Sequence, residues 1–325
     1  MKPLHILNGD GTAAPFSESK LADNETLIWR EVMMEGPVTD NKDFWKYRGL
    51  YFAKSFKRYG ESASSYFKKV IQEKVKLDKL SEYTHLTLWF EYDLFCQINL
   101  IYLLNWLAQQ DISQLEISLV SPGKEQEGTN FRGMGVGSAE QIERWYQQRT
   151  PVPKVMLLKA QELWGFYTSS SPEKLGTLIG ESEIDYFPHL KKAFAAHLSR
   201  FPSFKNGLNA VEQALLDIIA TEKPTKFGQI FEPFWAKHPV YGLGDAQLVN
   251  CLEKLSPMIV TFNQASIKAY KGEQIFQFEG EIEITTLGEQ VRIGNRDWID
   301  YGYPNVWLGG VHLVERKPLY RWEPD

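Results

Sequence analysis

The chain has little cysteine, no long apolar run and no strong excess of charge, and each shortage removes a class of protein. Its two cysteines, Cys96 and Cys251, lie far apart in apolar surroundings, so neither a disulfide framework nor a zinc motif is expected. Both read as buried thiols. None of the six histidines pairs with another at metal-ligand spacing; His189 and His197 are eight residues apart. The apolar run in "MKPLHILNGDG" is far too short for a secretory signal. The longest uncharged stretch, Leu94 to Gln110, is interrupted by Gln97, Asn99 and Asn105. A cytoplasmic protein with no membrane span is therefore expected. A formal net charge of -5 disfavours a surface given over to nucleic acid or anionic lipid. Fixed-period repeats, low-complexity tracts, a Gly-x-Ser-x-Gly elbow and a catalytic Cys/His signature are missing too.

What is there is apolar and aromatic: 43% and 14% of 325 residues, enough for a large core divided between domains. "LHILNGDGTAAPF" reads as a strand, a turn at Asn8-Gly9-Asp10-Gly11, and a short helix capped by Thr12. A second strand, Thr26 to Glu31, stops before Gly36-Pro37. Two amphipathic helices follow, one carrying Trp45, Phe52, Phe56 and Tyr59, the other Phe67, Val70, Ile71 and Val75. In "HLTLWFEYDLFCQINLIYLLNWL" the period changes at Glu91-Tyr92-Asp93. A continuous apolar run of strand length gives way there to Leu94, Ile98, Ile101, Leu104 and Leu107 at helical intervals. Asp93 is placed as the N-cap. A fourth strand spans Gln114 to Val120.

Alternating strands and helices predict a parallel sheet, and residues 1–137 read as a small Rossmann-like α/β domain. Residues 138–206 read as a helical region, with helices at Ser138 to Gln148, Val152 to Thr168 and Asp185 to Arg200. Residues 207–325 give helices at Val211 to Ala220 and around Asp245 to Leu255. Strand-like "MIVTFN" and "IFQFEGEIEIT" follow, an order that resembles a winged helix. The terminal "RWEP" suggests a C-terminus docked into the fold.

Taken together, "LHILNGDGTA", "LIWREVMMEGPV", "LWFEYDLFCQINLIYLL", "FRGMGVG", "RFPSFKNGL", "GLGDAQL", "VWLGGVHL" and "RWEPD" resemble the bacterial family catalogued as domain of unknown function 1835. The resemblance covers almost the whole chain. It departs at Gly11, Glu31, Tyr92 and Cys96, where the family often has Ser, Asp, His and Asp. It implies architecture and no activity. Arg48 matches an arginine common in that family.

In an open parallel sheet, ligands bind beyond the carboxyl ends of the strands, where the strand order reverses. The first strand delivers Asn8 and Asp10 to that edge. The second delivers Arg30, Glu31 and Glu35, and the third Glu91, Asp93 and, one helical turn on, Gln97. Carboxylates beside an arginine suit acid-base or metal-assisted chemistry on a phosphorylated or polar substrate. Asp10, Glu35, Glu91 and Asp93 are thus the expected catalytic residues. Asn8, Arg30, Glu31, Arg48 and Gln97 are the expected ligand contacts. Each has a structural alternative: Asp10 and Asp93 as caps, Arg30 as an ion-pair partner of Glu91, Gln97 satisfying a buried backbone group. No cofactor or metal is specified by these residues.

Gly133, Gly135 and Gly137 resemble a phosphate-cradling loop but lack the strand-turn-helix setting of a dinucleotide fingerprint; a tight turn capped by Ser138 explains them too. Between Lys42 and Leu80 eleven Lys or Arg face four Asp or Glu, interleaved with aromatics. That pattern could suit single-stranded nucleic acid, but helical spacing accounts for it better as core face and solvated face. Residues 207–325 carry 11 basic and 16 acidic residues, the wrong sign for a phosphate backbone. The functional expectation is a small-molecule enzyme or ligand-binding protein. The alternative is a regulatory or adaptor protein that binds a protein partner through its winged-helix-like module, with nucleic acid disfavoured.

Overall fold

The computed structural model describes residues 2–38, 42–123, 127–128, 131–180, 186–262, 266–270, 273–277, 282–314 and 319–323. Two units divide the chain: residues 1–55, 61–194 and 309–311 form the first, and 56–60, 195–308 and 312–325 the second.

In the first unit, β1 (Pro3–Asn8) is an interior strand of a sheet, its residues buried on both sides, Leu4, Ile6 and Leu7 almost completely. It pairs in parallel with β2 (Glu25–Trp29) and with β3 (His85–Trp89). β4 (Glu116–Val120) is parallel to β3, and the two-residue β5 (Thr150–Pro151) closes the edge antiparallel to β4. The order is β2-β1-β3-β4-β5, a mostly parallel, Rossmann-like sheet. Leu7 registers with Ile28 on one side and Trp89 on the other, so the strands end at one edge. From β1 the chain moves to one side and from β2 it returns past β1 to the other. The reversal therefore lies between β1 and β3.

α1 (Asp10–Ser17) starts directly after β1. Gly9, at φ 86°, turns the chain, and Thr12 is buried within the first turn instead of capping it. Over this side of the sheet, Leu7, Phe16, Trp89, Phe131, Met134 and Trp145 form one apolar cluster. α2 (Phe44–Ser55) ends before Phe56 and Tyr59, which follow in a separate turn. α3 (Ala63–Tyr66) passes through a π-helical turn into α4 (Gln72–Lys74) and then 3-10 turns to Glu82. In that second helical stretch Val70 is buried, whereas Phe67 and Val75 face solvent, so its expected apolar face is only partly a core face.

α5 (Leu94–Leu107) is buried almost all round, with Leu100, Ile101, Leu103 and Leu104 at or near zero exposure; it packs against α7 (Lys154–Tyr167). α6 (Ala139–Gln147) carries a capping box between Ser138 and Gln141. α8 (Glu173–Ile179) is not among the expected helices, and α9 (Leu190–Leu198) is the last of those expected before residue 206. Asp185, expected to open the last of them, lies outside the described residues. Cys96 is buried as expected, and Cys251 is only part-buried.

The second unit holds α10 (Ala210–Glu222), α11 (Gly228–Lys237) and α12 (Asp245–Leu255). α11 escapes a reading of the sequence because Pro233 sits inside it. β6 (Val260–Phe262) pairs antiparallel with β9 (Ile282–Ile284), and β7 (Ser266–Tyr270) with β8 (Glu273–Gln277); residues 278–281 of the expected strand segment lie outside the described residues. α13 (Thr286–Arg292) follows. The Trp322 backbone bonds to Pro202 and Phe204, and Arg321 pairs with Asp297, so the tail docks as expected; Pro324 lies outside the described residues. Among the described residues no helix is long and apolar enough to cross a membrane.

Candidate functional site

The switch point between β1 and β3 is built from the two loops that leave it. After β3 the chain runs Phe90, Glu91, Tyr92, Asp93 before α5, and Asp93 is the N-cap: its Oδ1 accepts from the Cys96 N–H at 2.8 Å. Glu91 turns towards the segment 131–137, where its Oε1 accepts from the Met134 N–H at 2.8 Å. Gln97, one turn into α5, donates to the Glu91 carbonyl and is buried. Asn8, at the end of β1, donates to the Cys96 Sγ and accepts from Asn99, both at 2.9 Å. Glu91, Asp93, Gln97 and Asn8 are thus brought together.

The electrostatics follow from that enclosure. Glu91 and Asp93 are part-buried as residues, and protein packs densely around their carboxyls. Burial, and then the neighbouring Asp93, pushes Glu91 up to about 8, against the Met134 N–H that favours the anion. Burial pushes Asp93 up to about 6, opposed by the cap bond and thiol of Cys96 and the Phe95 N–H. Burial and the two carboxyls drive the Cys96 thiol well up, which makes it a poor nucleophile. Of the two, Glu91 therefore holds its proton to the higher pH.

The other expected site residues have different partners. Asp10 pairs with Arg30, whose Nε and Nη2 reach its carboxylate at 2.8 and 2.7 Å, in place of an Arg30–Glu91 pair; Asp10 is 68% exposed. Glu31 and Arg48 form a fully buried ion pair, completed by the Tyr66 hydroxyl donating to Glu31. Arg48 also donates to the carbonyls of Val32, Glu35 and Pro37, which uses its whole guanidinium to pin the loop after β2. The Glu35 carboxylate accepts from the Tyr51 hydroxyl at 3.3 Å.

Two features outside the expected set matter, one residue and one segment. Asn99 donates to Asn8 and to the Glu31 carbonyl and accepts from the Met33 N–H, so it ties the crevice to the Glu31–Arg48 network. Its signal is an amide in a mostly apolar helix, which a buried setting obliges to hydrogen-bond. The segment 131–137 is the second. A Cβ at Gly133 would meet the Glu91 carboxyl at 2.7 Å, one at Gly135 the Gly11 backbone at 3.1 Å, and one at Gly137 the Trp145 ring at 2.8 Å. These glycines serve close approach within the fold, and Met134 between them is fully buried. Among the described residues no group of three or more His, Cys, Asp or Glu is placed to hold a metal ion. No protein-family model matches the chain, and no curated protein matches it.

Proposed function

We propose that the first unit binds a small polar or phosphorylated metabolite at the carboxyl ends of β1 and β3, and that Glu91 donates a proton or a hydrogen bond to it. The observation that carries this reading is the place of Glu91, bonded to the Met134 N–H at the reversal of a parallel sheet, where burial raises its carboxyl to about 8. A neutral Glu91 donates to an anionic oxygen, whereas an ionised one repels it. Asp93, largely ionised at pH 7, is the complementary base or orienting group. Gly9 adds room, since a Cβ there would meet nothing within 4 Å at the start of α1. Membership of the family catalogued as domain of unknown function 1835 and a cytoplasmic setting belong to the same reading, and neither supplies chemistry.

A thermal-shift screen of nucleotides, sugar phosphates and polar carboxylates on the full chain tests it, because a ligand specific to the folded state raises the melting temperature. Hits are expected to lose their shift in Glu91→Ala. A screen without hits at high ligand concentration, or hits indifferent to Glu91→Ala, removes the assignment.

We also propose a winged-helix-like arrangement for the second unit. Three helices, α10 to α12, precede an antiparallel β6–β9 pair with the β7–β8 hairpin between them in sequence. Its acidic balance favours a protein partner over DNA. Retention of a partner by residues 207–325 together with the whole chain, and never by the first unit, is the expected outcome of co-purification with truncated forms.

A further inference from the structure

Within the second unit a cleft of about 290 Å³ runs along one face of α10. Its floor is apolar and its wall aromatic: Ala210, Ala214 and Ile218 along the helix, then Leu208 and Trp322. The polar groups that line it divide into spent and unspent. Asp217 shares Arg292, at 2.9 Å, with Glu289 and accepts from Gln213. The Asn206 amide bonds to Gln213 and the Val291 carbonyl, Asn209 caps α10, and the Thr221 hydroxyl donates back to the Asp217 carbonyl. Ser203 donates to Asn206.

Left over are Lys205, Lys237, the imidazole of His238 and the buried Trp322 indole N–H, none of which has a hydrogen-bond or ion-pair partner among the described residues, and one anion, the exposed Glu222. His238 is half-buried, ringed by Phe234 and Tyr241, and sits beside Lys237 at the end of α11. The unspent hydrogen-bonding capacity is therefore mainly donating, set over an apolar floor. A cleft of this size is at the lower end for small-molecule sites, which favours a compact ligand over a dinucleotide.

We propose that this cleft binds a small organic anion with an apolar body, its negative group drawn to Lys205 and Lys237 and its body laid against Trp322, Leu208 and Ile218. The site is separate from the strand-end crevice and stands whether or not that crevice binds anything. Two lysines held without partners beside an apolar wall are what a carboxylate or phosphate on a flat body requires, since the charge supplies orientation and the wall supplies affinity.

Calorimetric titration of the full chain with phenyl phosphate and benzoate tests the proposal, with benzyl alcohol and inorganic phosphate as controls. Saturable binding of at least one of the two aryl anions is expected, with both controls weaker by about tenfold or more, the worth of one charge-assisted hydrogen bond or one buried ring. The exposed lysines allow Lys205→Gln and Lys237→Gln to be combined without harm to folding, checked by circular dichroism; the pair should weaken aryl-anion binding by at least about tenfold. Glu91→Ala should leave it unchanged. The proposal is overturned by no saturable binding, by benzyl alcohol or inorganic phosphate binding as tightly, by an unchanged affinity in the double-lysine variant, or by loss in Glu91→Ala.

Discussion

Glu91→Gln keeps the size of the side chain and the acceptor for the Met134 N–H while removing the proton equilibrium, so the two forms should diverge in stability as pH rises. The ordinary carboxyl titrates at 4.5 and the folded one at about 8. The folded chain therefore holds this proton more tightly. Glu91 contributes most favourably below pH 4.5, and that contribution is lost as pH climbs from 4.5 to about 8. Glutamine has nothing to lose over that window. One pH unit is worth about 1.4 kcal/mol per group, so Glu91→Gln should exceed the parent by less than about 1 kcal/mol at pH 5 and by about 2–3 kcal/mol at pH 7. Partial exposure of the residue keeps the figure at the lower end. Urea denaturation at pH 5, 6, 7 and 8, with the two proteins side by side, measures the difference directly. A difference that does not grow with pH, or a glutamine form less stable throughout, would refute a buried protonated carboxyl.

Arg48→Met should cost about 3–5 kcal/mol, because it strands the buried Glu31 and three loop carbonyls; Arg48→Lys should forfeit much of the same, since an ammonium cannot serve that fan of oxygens. Melting temperatures and soluble yield give the readout. Gly135→Ala should cost about 1–3 kcal/mol by forcing segment 131–137 off the Gly11 backbone, and trypsin should then cut sooner at Arg132. Gly11→Ala, whose Cβ meets only an ordinary 3.8 Å contact, should be neutral or mildly stabilising. Asp93→Ser should be more stable than Asp93→Ala by about 1 kcal/mol at every pH, since both lack the carboxylate and only serine caps α5.

The β3–α5 junction was legible in the sequence because its signals are local. The apolar period changes within three residues, and Asp93 stands where a cap belongs. The parallel sheet followed from the alternation of strands and helices. The two-residue β5 did not, as a proline at a sheet edge carries no strand signal. The partners of the site residues were hidden for a different reason. Glu91 owes its setting to a segment about 40 residues further on that folds over it, and no spacing around Glu91 announces that contact. Glu31 follows a strand end and Arg48 matches an arginine of the resembled family, yet whether they point at solvent or at each other depends on how α2 packs. Asn99 shows the reverse case. Its position in a helix too apolar to face water already demanded a buried partner, and the tertiary fold only decided which one.

Direct titration of the Glu91 carboxyl is the decisive observation. With glutamate labelled by ¹³C at Cδ, the resonance that vanishes in Glu91→Gln identifies the group, and its shift can be followed from pH 4 to pH 10. A midpoint near 8 is expected. A midpoint near the ordinary 4.5 would mean an ionised side chain at neutral pH, and the proton-donating site at the ends of β1 and β3 would have to be abandoned.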